Sequence, residues 1–325
     1  MLFVFLADVH ISDSMPQLVH QFKDAVAYAK NAGAKAVVIG GDLFDSPYPS
    51  AETALTVKNI MESAKPMQFI AVCGNHDPLG MAEFYKKPPE NLYVFPSEIT
   101  RYEFSGAVFY GVSERSSEQV FDVWQGFCAN EKFIALSHGN INPASLARTG
   151  ASLCLLGHIH KSEVHTLANG VHAVYSGCLA GRGFDECGAK GFYVIDSDSM
   201  DFKFVQSNAR VYREYFIDLS DSADTEVIIQ RMAQIVPAEN EVARLVLCGK
   251  VEKPIETDLS RLCAMSTFEQ IKDETEFELR ATDEFTLEGE FIRILQQSLE
   301  TANEQLAHKI KDAAKEGITA LRRKQ

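Results

Sequence analysis

Asp8 and His10, Asp42, Asn75 and His76, His138, and His158 with His160 share one setting: each stands just after an apolar run, at 2–7, 36–41, 69–74, 133–137 and 154–157. Together they are two carboxylates, five imidazoles and one carboxamide. Oxygen and nitrogen donors without sulfur suit Mn, Fe or Zn better than Ca or a cysteine-bound structural Zn. Eight groups are too many for one four-coordinate ion. They suit two divalent ions with a carboxylate between them, an arrangement that clamps a phosphoryl group for in-line attack. Asn75 and His76 are adjacent and so face different tasks. Asn75 is expected as a metal ligand and His76 as the acid that protonates a leaving oxygen. Asp77 is expected to orient the His76 ring.

Apolar runs of this length, bounded by glycine and polar residues, read as buried strands. If they lie side by side in one sheet, their carboxyl ends cluster, where α/β sheets bind ligands. Gly40-Gly41 and Gly74 let the chain turn sharply beneath a metal. Residues 2–7, a helix at 16–32 and 35–41 form a βαβ unit, with Leu18, Phe22, Val26 and Ala29 as the helix's apolar stripe. A second helix, 50–64, starts at a Pro49-Ser50 cap and carries Leu55, Ile60 and Met61. Strands follow at 68–73, 92–95, 107–112, 132–137 and 153–156, with a helix near 117–127. Asn169-Gly170 closes a hairpin, and 191–196 pairs with 201–206. Two packed sheets flanked by helices are implied.

A second region opens near 210: a strand 213–218, a helix 222–236 ended by Pro237, a strand 242–250 and a weaker β segment near 275–281. Residues 285–323 read as one long helix, its stripe running from Leu287 through Ile294 and Leu306 to Leu321. The stripe is expected to pack on the chain itself or on a second subunit.

The 325 residues carry a formal charge of −14, and the acidity is spread over both halves. It opposes a broad nucleic-acid-binding surface. A local basic track from Lys86, Lys87, Arg101, Arg115, Arg148 and Lys161 is not excluded. Seven cysteines without a C-x-x-C pair, several inside apolar runs, fit a reducing, cytoplasmic setting. His20, His165, His172 and His308 lie outside the motifs and read as surface or hairpin residues. Arg182 either contacts phosphate or pairs with Asp185 or Glu186.

Asp8-x-His10, Gly41-Asp42, Gly74-Asn75-His76-Asp77, Ser137-His138-Gly139 and Gly157-His158-x-His160 resemble, in order, the motifs of calcineurin-like metallophosphoesterases. The resemblance covers about the first 200 residues. It implies a four-layer α/β/β/α sandwich. It places Asp8, His10, Asp42 and His160 on one ion and Asp42, Asn75, His138 and His158 on the other, with His76 as catalytic histidine. The stretches 41–47, 175–179, 182–186 and 188–192 are similar to SbcD-type DNA repair nucleases. That narrower likeness implies an Mn-dependent DNA exo- and endonuclease, a homodimer and an SbcC-type ABC ATPase partner. It also implies a small α+β capping domain, hence domains at 1–207 and 208–282 and a C-terminal helical segment at 283–325. Some members carry histidine where this chain has Asp45, so Asp45 is expected to have no catalytic part. Two alternatives remain open: a small-molecule phosphodiesterase, such as a cyclic-nucleotide enzyme, or phosphatase, and a non-catalytic subunit holding metals for assembly.

Overall fold

A computed structural model describes residues 1–79, 83–114, 123–140, 142–251, 255, 257–277 and 286–322. The helix expected near 117–127 falls largely outside them, and its described end, 123–126, is a turn. The chain divides into two compact units, Met1–Val211 and Tyr212–Gln325.

In the first unit the elements run β1 (Leu2–Leu6), α1 (Gln17–Asn31), β2 (Ala36–Gly40), α2 (Ala51–Ser63), β3 (Gln68–Val72), β4 (Leu92–Val94), β5 (Thr100–Phe104) and β6 (Ala107–Gly111). They continue with β7 (Ile134–His138), α3 (Pro143–Leu146), β8 (Leu153–Gly157), β9 (Glu163–Thr166), β10 (His172–Tyr175), β11 (Gly191–Asp196) and β12 (Phe202–Gln206). The five motif-bearing strands do not share one sheet. A six-stranded sheet, ordered β12-β11-β1-β2-β3-β4, holds three of them; a second, ordered β5-β6-β7-β8-β10-β9, holds two. β1, β2 and β3 are parallel, as are β7 and β8, so their carboxyl ends point the same way within each sheet.

Side-chain alternation explains the layering. On one face of the first sheet Val4, Leu6, Val37, Ile39 and Phe69 pack against Leu18, Phe22 and Val26 of α1 and Val57 and Met61 of α2. On its other face Phe3, Phe5, Val38 and Ile70 meet Phe109, Ile134, Leu136 and Leu155 of the second sheet. The outer face of that sheet, with Phe133, Ala135, Cys154 and Leu156, is covered by Trp124 and by Leu146 of α3. Each fully buried Val, Leu, Ile, Phe or Met side chain among them contributes roughly 1.5–3 kcal/mol of transfer free energy. The α/β/β/α layering matches the fold class read from the sequence. Ser50 caps α2 by accepting from Thr53 N, but Leu55 faces solvent and Val57 takes the inward position. β5 was not expected: its exposed and half-buried residues alternate, leaving no apolar run to signal it.

The second unit contains β13 (Val211–Asp218), α4 (Thr225–Met232), β14 (Glu241–Cys248), β15 (Lys250–Val251), α5 (Leu259–Ala264), β16 (Gln270–Asp273), β17 (Glu276–Phe277), α6 (Leu287–Glu300) and α7 (Glu304–Arg322). The helix ends at Met232, five residues before Pro237, so the proline does not terminate it. The single long helix expected at 285–323 is two. α6 closes at Glu300, and Asn303 starts a new helix: its Oδ1 accepts from Leu306 N at 2.9 Å, capping α7 afresh. Ile292, Ala314 and Ile318 enter the core with Ile228, Leu245 and Leu247, whereas Leu287, Ile294 and Leu306 stay exposed. Residues 208–282 and 283–325 therefore share a core. The described residues include no helix long and apolar enough to cross a membrane.

Candidate metal centre

The tips of β1, β2, β3, β7 and β8 meet at one place. Asp8 N donates to Gly41 O and His10 N to Asp42 O, locking the β1 and β2 loops together. His158 N donates to both carboxylate oxygens of Asp8, at 2.9 and 3.0 Å, which ties β8 of the second sheet to β1 of the first. The backbone is strained here. Of six described non-glycine residues with positive φ, four are Asp8, His10, Asp42 and His158. Such conformations cost on the order of 1–3 kcal/mol each and persist where the surroundings over-determine them. Gly41, at φ +95°, has no room for a Cβ, which would strike His138.

Three overlapping clusters bring potential ligand atoms within 4.8 Å of one another: Asp8, His10 and His160; Asp8, Asp42 and His138; and His10, Asp42 and His76. Asp42 belongs to two of them. Its Oδ2 lies 3.2 Å from His138 Nε2 and 3.8 Å from His10 Nε2, while its Oδ1 accepts from His76 N at 2.8 Å. Asn75 Oδ1 completes the far side, 3.0 Å from His138 Nε2 and 3.2 Å from His158 Nδ1. All eight residues singled out from sequence are therefore gathered around one small volume.

The rings are held so that a defined nitrogen faces inward. His138 donates its Nδ1–H to Gly40 O at 2.8 Å, His10 to Asp45 Oδ1 at 3.0 Å, and His160 to Glu186 Oε1 at 2.7 Å. In each case Nε2 is left for the centre, the arrangement metal-ligating histidines adopt. His76 donates Nδ1–H to Asp45 O at 3.0 Å.

The electrostatics fit a cation. Burial pushes Asp8 up to about 6, against the charges of His138 and His160. Burial also acts to raise Asp42, but the charge on His138 and its hydrogen bond hold that carboxylate well below the usual range. Burial would lower His138, yet Asp42 and Asp8 raise it to about 10. Burial lowers His10 to about 4, leaving its ring neutral with a lone pair available. A proton on His138 thus balances buried negative charge that a metal would otherwise neutralise. The donor set and its inward-facing nitrogens suit divalent ions in two groups that share Asp42.

One expectation changes. Asp77 does not orient His76: its buried carboxylate accepts from Phe44 N, Gly74 N and Tyr85 OH instead. Asp45, assigned nothing from sequence, supports His10 with its side chain and His76 with its carbonyl. The G-D-x-x-D spacing is the one local signal that it returns to the site. Arg182 is engaged with Glu186 and Asp45, not Asp185. Among the candidate basic track, Lys86, Arg101 and Lys161 are ion-paired with Glu83, Glu103 and Glu131, and Glu163, and Arg148 donates to Ser145. Arg115 lies outside the described residues.

A model of the calcineurin-like phosphoesterase superfamily domain matches residues 1–200. No curated protein matches the chain. Among solved structures, a dimetal phosphatase from Danio rerio aligns at 15% identity and a TM-score of 0.42, covering 60% of this chain and 91% of that one. GAP50, the anchor in the inner membrane complex of Plasmodium, aligns at 15% identity and 0.39, covering 64% and 89%. A Thermotoga maritima protein aligns at 16% identity and 0.35, covering 63% and 97%.

Proposed function

Because the chain belongs to the calcineurin-like phosphoesterase superfamily, we propose that it is a two-metal phosphodiesterase acting on DNA, of the SbcD type. One observation carries the hydrolytic reading: Asp42 stands between two sets of inward-facing donors, Asp8, His10 and His160 on one side and Asn75, His138 and His158 on the other. Those seven residues would hold two divalent cations, with Mn the first candidate. Bound there, the cations supply Lewis-acid polarisation of the phosphoryl oxygens and a water of lowered pKa.

The protein's own groups do the rest. His76, fixed through Nδ1 by Asp45 O, keeps Nε2 for the leaving oxygen. As the P–O bond breaks, the imidazolium form of His76, protonated on both nitrogens, passes its Nε2 proton to that oxygen and keeps Nδ1–H on Asp45 O. The DNA assignment is supported by the stretches 41–47 and 182–186, which carry the likeness to SbcD-type nucleases and touch each other through Arg182 and Asp45. A homodimer and an ABC ATPase partner are part of the same proposal. A second reading, a small-molecule phosphodiesterase or phosphatase, is favoured by the net charge of −14 and by the paired state of the basic residues named above.

Metal-loaded protein incubated with linear and single-stranded DNA tests the proposal. Manganese-dependent cleavage is expected. His76→Ala should lower the rate about 10²–10⁴-fold on DNA and far less on a nitrophenyl diester, whose leaving group needs no proton. Hydrolysis of small diesters with no cleavage of DNA would sink the nuclease assignment and leave the small-molecule reading.

A further inference from the structure

Arg182 lies beside the site, and its contacts account for its guanidinium without a substrate. Nη2 donates to Glu186 Oε1 at 2.7 Å, and Nε donates to both Glu186 oxygens at 3.1 and 3.3 Å. Nη1 donates to Asp45 Oδ1 at 3.0 Å. The backbone N of Arg182 adds a further bond to Glu186 Oε2 at 2.8 Å. The same Glu186 oxygen that Nη2 contacts accepts the Nδ1–H of His160, and the same Asp45 oxygen accepts the Nδ1–H of His10. One planar cation thus spans the two carboxylates that aim two histidines, and those histidines face each other with Nε2 atoms 3.1 Å apart.

The other side of the centre is built differently. His138 is aimed by a backbone carbonyl, Gly40 O, which carries no net charge and is fixed by its strand. The two halves therefore depend on different supports: side chains 137 residues apart in sequence on one side, the sheet itself on the other. His160 has a second anchor as well, since buried Lys190 donates from Nζ to its carbonyl at 2.9 Å.

We propose that Arg182 is a positioning residue that sets the affinity of one of the two cations, the one held by Asp8, His10 and His160, and leaves the other to the sheet. This rests on the two-cation reading above. Arginine suits the task because its fork reaches both carboxylates at once; lysine, a point charge on a flexible stem, cannot bridge them with the same geometry. Loss of a group that orients a ligating histidine lowers metal affinity about 10–100-fold.

The experiment is calorimetric titration of metal-free full-length protein with Mn²⁺, in the unaltered chain and in Arg182→Gln, Arg182→Lys and Asp45→Asn. A second readout is the exchange-coupled Mn–Mn electron paramagnetic resonance signal, which needs both ions. Two ions are expected to bind the unaltered chain. In Arg182→Gln one ion should keep its affinity while the other weakens at least about 10-fold, with the coupled signal lost at matched metal concentration. Asp45→Asn should weaken the same ion, and Arg182→Lys should restore only part of the loss. Unchanged affinities in Arg182→Gln and Asp45→Asn, or equal weakening of both ions, would overturn the positioning role alone. Failure of the unaltered chain to bind two ions would overturn the two-cation reading with it.

Discussion

His10 and His160 present their Nε2 atoms to each other across 3.1 Å, from loops 150 residues apart, with each ring's Nδ1–H given to a carboxylate. Two imidazole lone pairs brought that close repel unless a proton or a cation lies between them. The same logic holds at His138, which meets Asp42 and Asn75 on one nitrogen and Gly40 O on the other. The centre is assembled around positive charge, and its behaviour toward protons and metals follows.

Metal affinity should rise with pH. In the metal-free protein Asp42 and Asp8 raise His138 to about 10 against the effect of its burial, and burial raises Asp8 to about 6. Ligating nitrogen and oxygen must be deprotonated, so binding at pH 7 expels the His138 proton, and near pH 5 one from Asp8 also. Each proton expelled makes the apparent affinity climb about tenfold per pH unit. Competition against a chelator from pH 6 to 9, corrected for the chelator's own protonation, reads the slope. A flat profile would contradict the charge assignment.

Gly74→Ala should disable the centre while leaving the fold. An added Cβ would stand 2.7 Å from both Cγ and the backbone N of Asp42 and would collide with its Oδ1. Asp42 cannot withdraw, because it follows β2 at positive φ and is packed between His10 and His138. Overpacking of this kind costs about 1–3 kcal/mol, and the displaced carboxylate serves both donor sets. Expected are a lowered melting temperature, retained circular dichroism and loss of both bound ions. Retention of either ion at its original affinity would show that Asp42 does not link the two sets.

Much of this was readable before folding, and the unread part has a common cause. Apolar runs ending in Asp, Asn or His locate strand tips because burial and chemistry alternate over a few adjacent residues. Asp45 was unreadable because its meaning comes from Arg182, 137 residues away, and from a backbone carbonyl, which has no residue type. Asp77 departs from expectation for the converse reason: adjacency to His76 says nothing about direction, and its carboxylate turns inward to Tyr85. β5 and α5 are short and lack the apolar periodicity of a buried element. The interruption at Asn303 is a capping event that periodicity alone cannot register.

Asp77 gives a stability test with a definite sign. Burial, with the Asp42 charge, raises its folded pKa to about 7, above the ordinary aspartate value of 3.8. The folded state therefore holds a proton between those values that the unfolded state releases. Its contribution is fully present below pH 3.8 and is lost as pH rises through about 7. Asp77→Asn cannot titrate. The stability of the unaltered metal-free protein relative to that variant should fall as pH goes from 4 to 7. Urea denaturation of both at several pH values measures the difference; a relative stability that grows with pH would mean the carboxylate is ionised in the folded state.

The second unit offers the sharpest contrast between a residue's place in the sequence pattern and its place in the core. Leu306 fits the apolar stripe expected of one continuous helix, yet it is 49% exposed on α7. Ile318, outside that stripe, is fully buried against the sheet formed by β13, β14 and β16. Emptying a buried isoleucine site leaves a cavity and costs about 2–5 kcal/mol, whereas truncation of an exposed side chain stays within about 0.5 kcal/mol. Ile318→Ala should therefore lower the denaturation midpoint markedly and Leu306→Ala hardly at all, by urea melts of the full chain. Metal stoichiometry should be unchanged in both, since every proposed ligand lies within Met1–Val211. If Leu306→Ala proved the more damaging, residues 287–321 would be packed as the uninterrupted stripe predicts, and the burial of Ile318 in place of Leu306 would have to be abandoned.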